Sequence, residues 1–314
     1  MKLFDAHCDT IYQCYIQNTS LLKENPQGHL DLLRTKNFTA YAQFFAIFED
    51  ARGKTDQLMA EIFEKQYQIF RNELECNQNE IAFCRSSTEA QESFGQGKAA
   101  AFLSVEGAEL LGCSLEQLEQ AYNLGVRAVN LTWNRANALS GSAVEESERG
   151  LSLLGKAFAR RMQELGMLVD VSHLSEAGFW DVIDLAQKPV FASHSNARTV
   201  WNHPRNLSDA QFTALMQVGG VAGLNLYAGF LGLNPDFDTI TAHLEHFWSL
   251  GGEEYVALGG DWDGCDTLPK GMDQGIGSLS KLYEHLLWRN YSELLLEKLY
   301  YKNLMRVVDK VCTM

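Results

Sequence analysis

Along the chain, short runs of apolar or β-favouring residues alternate with longer stretches whose apolar positions recur at helical spacing. The short runs are Leu3–Ala6, Ala40–Ile47, Ile81–Cys84, Ala99–Ser104, Ala128–Leu131, Leu168–Ser172, Pro189–Ala192, Gly220–Leu224 and Tyr255–Leu258. The helical stretches include Leu58–Leu74, Leu115–Leu124, Leu151–Leu165, Glu176–Ala186, Asp209–Val218 and Ile240–Leu250, each with an apolar stripe. Ser208 precedes Asp209 as an N-cap. Gly125, Gly166, Gly219 and Gly251 stand just past helix ends, where the chain needs a left-handed residue. Nearly continuous apolar strands separated by helices predict a parallel sheet covered on both faces.

Two architectures satisfy that alternation. An open doubly wound sheet should carry a glycine-rich phosphate turn after its first strand, whereas this first strand runs into His7-Cys8-Asp9-Thr10. A closed (β/α)8 barrel of the TIM type needs eight strands and about 250 residues plus insertions, so Ile81–Cys84 is assigned an accessory role. The longer irregular stretches Glu49–Asp56, Arg135–Gly150 and Asp261–Gly277 all follow strands. In a parallel barrel they open on the carboxyl face, where such folds keep their chemistry. The expected fold is an α/β barrel forming one domain over residues 1–314. With 5 Pro and no low-complexity tract, nothing marks a linker.

Composition narrows the partners. The chain carries 26 Lys+Arg against 40 Asp+Glu, a net charge of −14, which repels phosphate backbones and argues against a nucleic-acid partner. Its longest apolar windows fall short of a membrane span, and Met1–His7 shows no secretion signal. The 7 Cys are an odd number without a Cys-x-x-Cys pair, a pattern that suits reduced thiols. The expectation is a cytoplasmic protein without a membrane partner.

Ionisable residues stand at the ends of five predicted strands: His7 and Asp9, Glu106, His173, His194 and Asp261. On an extended backbone His7 and Asp9 share a face and Cys8 takes the other. Singly, each residue has an ordinary explanation. A strand-end histidine is most often a hydrogen-bonded core residue, Asp9 before Thr10 reads as a helix N-cap, and Glu106-Gly107 reads as a turn. Together at one end of a barrel, buried carboxylates and imidazoles require something cationic to hold them. Nitrogen and oxygen donors of this hardness suit Zn²⁺, and also Mn²⁺, Co²⁺ or Fe²⁺. There are enough for two metals if one carboxylate bridges, and a metal pair acidifies a shared water to near neutrality. That is hydrolytic equipment.

The segments Asp5-Ala6-His7-Cys8-Asp9-Thr10, Ser104-Val105-Glu106-Gly107, Val169-Asp170-Val171-Ser172-His173, Ala192-Ser193-His194-Ser195-Asn196-Ala197-Arg198 and Leu258-Gly259-Gly260-Asp261-Trp262-Asp263-Gly264 occur in this order. Jointly they resemble the membrane dipeptidase (renal dipeptidase, peptidase M19) family of metal-dependent barrel hydrolases, in a soluble bacterial-type form. The resemblance covers nearly the whole chain, to Asn303-Leu304-Met305-Arg306-Val307. It implies that His7 and Asp9 bind one zinc, His173 and His194 the other, and that Glu106 bridges them. Asp261 would orient the water and carry its proton to the leaving amine. Arg205 would bind the terminal carboxylate of a dipeptide through its planar fork, and Tyr227 would lie on the substrate side. Asp263 is read as structural to its loop. A D-residue at the C-terminal position of the substrate and a homodimeric assembly are further implications.

One position departs from the family pattern. After the strand ending Leu131-Thr132, where mammalian members carry a histidine beside the scissile carbonyl, this chain has Trp133. An indole donates one hydrogen bond but cannot become cationic, so oxyanion stabilisation there weakens or moves. Two other readings stay open on sequence alone. One is a related barrel metallohydrolase acting on N-acyl amino acids or other amides. The other is a metal-binding relative with impaired catalysis.

Overall fold

The computed structural model describes residues 1–20 and 22–313; Leu21 and Met314, both within the expected 1–314 domain, lie outside the described residues. The strands are β1 (Lys2–Cys8), β2 (Ala40–Phe48), β3 (Ile81–Phe83), β4 (Ala99–Glu106), β5 (Val126–Asn130), β6 (Leu168–Asp170), β7 (Phe191–Ala192), β8 (Val221–Leu224) and β9 (Val256–Leu258). All pair in parallel, in the order β2-β1-β9-β8-β7-β6-β5-β4, and β2 pairs with β4 to close the ring. The result is an eight-stranded TIM-type barrel surrounded by helices. β3 stays outside it, as expected. It pairs with Ala99–Ala101 at the start of β4, on the edge that β5 occupies further along through Leu103–Glu106.

The helical stretches form where the apolar stripes lie, with ends shifted by a few residues. Asp56–Cys76, Leu115–Leu124, Leu153–Leu165, Glu176–Leu185, Asp209–Gln217 and Phe237–Ser249 are helical. Ser208 caps Asp209–Gln217 in a reciprocal box with Gln211. Gly125 and Gly166 take the left-handed conformation at their helix ends. The helix Thr10–Gln17 starts where Asp9 before Thr10 reads as an N-cap, while those at Ser87–Gly95, Leu279–Trp288 and Asn303–Val311 lie outside the stretches named above. Among the described residues, no helix is long and apolar enough to cross a membrane.

Inside the barrel, alternate residues of the strands build an apolar floor. Phe4, Phe44, Phe102 and Phe191 share it with Ala6, Ala42, Ala100, Ala128, Leu168, Val221 and Ala257. Ring centroids of Phe4–Phe102 and Phe44–Phe102 are 5.2 and 5.1 Å apart. The helix Asn303–Val311 closes the amino-terminal end by burying Leu304, Val307, Val308 and Val311 against this cluster. A second apolar shell, between strands and helices, takes the opposite strand positions, such as Leu3, Phe45, Leu103 and Val129. His7, Glu106, His173 and His194 follow at the carboxyl ends of these strands and are buried there.

Candidate metal centre

The strands deliver their mouth residues by different local devices. β4 keeps simple alternation, so Glu106 continues the inward row of Ala100, Phe102 and Ser104. β1 does not. Phe4 and Ala6 point inward, yet Cys8 lies in the outer shell, because the β1–β2 register shifts between Asp5 and Cys8. The buried Asp5 carboxylate holds this irregularity, accepting from His7 N at 3.1 Å, Gln43 Nε2 at 2.9 Å and Gly260 N at 2.9 Å. His7 and Asp9 thereby face the mouth together.

β6 ends sooner than the predicted Leu168–Ser172 for a similar reason. Buried Asp170 accepts from Ser172 N at 2.9 Å and Ser193 N at 3.0 Å, replacing ladder bonds and turning both chains. His173 follows at φ 68°, and Asp261 and Asp263 after β9 sit at φ 57° and 64°. Left-handed backbone is uncommon for non-glycine residues and concentrates at functional sites. Gly264 is required for a different reason. A Cβ there would lie 2.1 Å from Asp9 Oδ2 and 2.5 Å from Asp261 Oδ1, so only a hydrogen fits between the two carboxylates.

Glu106 lies between two donor sets. Its Oε2 is 3.5 Å from His7 Nε2, which is 3.3 Å from Asp9 Oδ2. Its Oε1 is 2.9 Å from His173 Nε2 and 3.5 Å from His194 Nε2. Asp261 Oδ1 stands 4.0 Å from His7 Nε2. Among the described residues three donor groupings emerge, His7–Asp9–Glu106, Glu106–His173–His194 and His7–His194–Asp261, each with candidate ligand atoms within 4.8 Å of one another. Asp9 occupies the N-cap position of Thr10–Gln17 but makes no side-chain capping bond. Its carboxylate is committed to the mouth.

The electrostatics suit a cation. Burial drives the Glu106 carboxyl up to about 7, against the pull of His7, and raises Asp261 as well. Burial works against a proton on His7, but the charges of Glu106 and Asp9 outweigh it and push His7 well above its ordinary value. His173 and His194 fall well below theirs, first through burial and then through the positive charges of Arg205 and His7. They present neutral imidazole nitrogens, the form that binds metal. Buried His7 Nε2 and Asp9 Oδ1 have no hydrogen-bond partner among the described residues. Orphaned donor atoms of this kind, around a divided carboxylate, fit divalent ions held by nitrogen and oxygen.

A second ring of polar groups, absent from the sequence-based assignment, orients these ligands. Asn134 Oδ1 lies 2.9 Å from His173 Nδ1, Ser193 Oγ lies 2.7 Å from His194 Nδ1, and Asn225 Nδ2 donates to Asp261 Oδ2 at 3.0 Å. Each leaves the working atom of its partner pointing inward. Their signal was faint: a polar residue next to, or across a strand from, each ligand. Asp263 fills the expected structural role, accepting from Thr10 Oγ1 at 2.6 Å, while its backbone N donates to His29 Nδ1 at 3.1 Å.

A cleft of about 340 Å³ opens above the centre. Asp9, Glu106, His173 and Asp261 lie at its base, with Trp133 and Tyr227 in its walls. Arg205 is 4% exposed and lines an adjoining cavity of about 380 Å³ that shares His173. Its Nη2 donates to His194 O at 3.4 Å, its guanidinium lies 5.6 Å from the Phe230 ring centre, and its Nε has no partner among the described residues. Burial lowers it to about 10. A guanidinium in this state has donor capacity that a carboxylate could take.

The family model for membrane dipeptidase, peptidase family M19, matches residues 1–314. An uncharacterised dipeptidase of Schizosaccharomyces pombe is 32% identical over 299 residues, 87% of this chain and 71% of that protein. A metallopeptidase of Rhodobacter sphaeroides, solved with a phosphinate mimic of the dipeptide L-Ala-D-Ala, superposes with a TM-score of 0.90 at 26% identity, covering 99% of both chains. The dipeptidase AC structure, also a metallopeptidase of family M19, gives the same score and identity, over 99% of this chain and 98% of that one.

Proposed function

The chain belongs to the membrane dipeptidase family, peptidase family M19, and is a metal-dependent dipeptidase; from that membership we propose a two-zinc enzyme with His7, Asp9, Glu106, His173 and His194 as ligands and Asp261 as its acid–base residue. The observation that carries this reading is the division of Glu106, one oxygen toward His7 and Asp9 and the other toward His173 and His194. Bound zinc, or Mn²⁺, Co²⁺ or Fe²⁺ in its place, supplies Lewis-acid polarisation of a carbonyl and a water acidified to near neutrality.

The chain's own residues do the rest. Asp261, held by Asn225, takes a proton from the attacking water and returns it to the departing amine nitrogen. Arg205 takes the substrate's terminal carboxylate, with Tyr227 along the same wall. Trp133, whose indole N–H has no partner among the described residues, donates toward the substrate. The C-terminal residue of the dipeptide is accepted in the D form; the support is the L-Ala-D-Ala mimic held by the Rhodobacter sphaeroides neighbour. The same proposal treats residues 1–314 as one domain in a cytoplasmic homodimer. The thiols of Cys8, Cys76, Cys84, Cys113, Cys265 and Cys312 are consistent with a reducing compartment.

The test is chelation followed by reloading with Zn²⁺ or Mn²⁺, reading bound metal alongside hydrolysis of L,L- and L,D-dipeptides and N-acyl amino acids. We expect two equivalents of metal to return together with dipeptide hydrolysis. Full activity after complete metal removal, or a preference for N-acyl amino acids, overturns it.

A further inference from the structure

The cleft has two aromatic walls, and only one lies beside the cation that would take a carboxylate. Around the barrel the order β1-β2-β4-β5-β6-β7-β8-β9 places Tyr12, Phe48 and Trp133 on the β1–β5 arc. Tyr227 and Phe230, with Arg205 beside them, stand on the β7–β8 arc. His173 separates the arcs on one side and Asp261 on the other. A dipeptide whose carboxylate is fixed at Arg205 must therefore direct its N-terminal residue across the centre to the β1–β5 arc.

That arc is a continuous aromatic surface. Phe48 packs on Trp133 with ring centres 4.9 Å apart and on Tyr12 edge-to-face at 5.1 Å. All three are only partly buried and line the cleft with Asp9 and Glu106. Of the acidic residues around it, Glu49 pairs with Lys54 at 3.2 Å, Asp50 lies 3.4 Å from Arg52 and 3.8 Å from Arg135, Asp9 and Glu106 belong to the donor groupings at the cleft base, and burial pushes the Glu109 carboxyl up to about 7. Trp133 cannot carry charge, so the shelf offers π faces and apolar area.

We propose that Tyr12, Phe48 and Trp133 form the recognition shelf for the N-terminal side chain of the substrate and select dipeptides with an aromatic or large apolar residue there. The inference rests on the dipeptidase reading and adds the substrate class. A side chain that fills an apolar pocket gains about tenfold or more in kcat/KM over one that leaves it empty.

The experiment uses the full chain loaded with Zn²⁺ and a series X-D-Ala in which X is Gly, Ala, Leu or Phe. We expect kcat/KM for Phe to exceed that for Gly by at least roughly tenfold, mostly through KM. Trp133→Ala and Phe48→Ala should bring that ratio to within about threefold of unity, with two bound metals retained. Trp133→His, which keeps a ring without the indole's area, should fall between. A flat series in the unaltered enzyme, or an unchanged ratio in both alanine variants, overturns the shelf. Failure to hydrolyse any member of the series after metal loading instead overturns the dipeptidase mechanism beneath it.

Discussion

The floor and the mouth of this barrel are built from the same strands and satisfy opposite requirements. At the floor, Phe4, Phe44, Phe102 and Phe191 interlock with small alanines and with the helix Asn303–Val311, and nothing further is needed. At the mouth, a few residues later on the same strands, His7, Glu106, His173 and His194 are also buried, but His7 Nε2 has no hydrogen-bond partner among the described residues and the Nε2 atoms of His173 and His194 crowd to 2.8 Å of each other. Burying apolar area contributes roughly 25 cal/mol per Å². Burying a charge costs several kcal/mol unless a partner offsets it. The lower layer is thus the source of stability, and the upper layer carries a debt that a bound cation relieves. The barrel separates the two so that chemistry at the rim does not disturb the packing that holds it.

That contrast can be broken in graded ways. The largest effect is expected at the mouth, from Asp261→Asn. It should leave both metals bound and lower kcat by roughly 10²–10⁴-fold, with thermal stability of the metal-free protein unchanged or higher because a buried carboxyl is removed. Metal analysis beside steady-state kinetics reads it, and an unchanged rate takes Asp261 out of its role. Next is the floor substitution Phe44→Ala, expected to cost about 3–5 kcal/mol of stability while the purified folded fraction keeps its metal stoichiometry. Loss of metal without loss of stability would mean that floor and mouth are not separate. The smallest effect is expected from Ser193→Ala. Freeing His194 Nδ1 should weaken metal affinity about 10–100-fold, measurable by competition with a chromogenic chelator, without shifting the denaturation midpoint of the metal-free protein.

Much of this was readable in the residues. The strand–helix alternation predicted the barrel because apolar period and turn chemistry are local properties, and the eight strands a closed barrel needs placed Ile81–Cys84 outside it. The candidate donors were readable because five strands ended in the right residue types and a resemblance to a family's ordered motifs tied them together; the structure brings them to one mouth. Asn134, Ser193 and Asn225 were not, since a serine or asparagine near a strand end has many ordinary uses and only proximity gives it this one. Nor was the aromatic shelf, which joins Tyr12, Phe48 and Trp133 across 121 residues of chain.

By itself, then, the amino-acid order determined which residues were chemically able to bind metal and which runs would become strands, through side-chain type and periodicity. Only the tertiary structure decided which way those residues face. Strict alternation from Phe4 would have turned Cys8, not His7, into the barrel. The register shift pinned by Asp5 to Gln43 and Gly260 reverses that, through hydrogen bonds to residues far away in the chain. Periodicity cannot encode such a bond, because its energy exists only once the partners have been brought together.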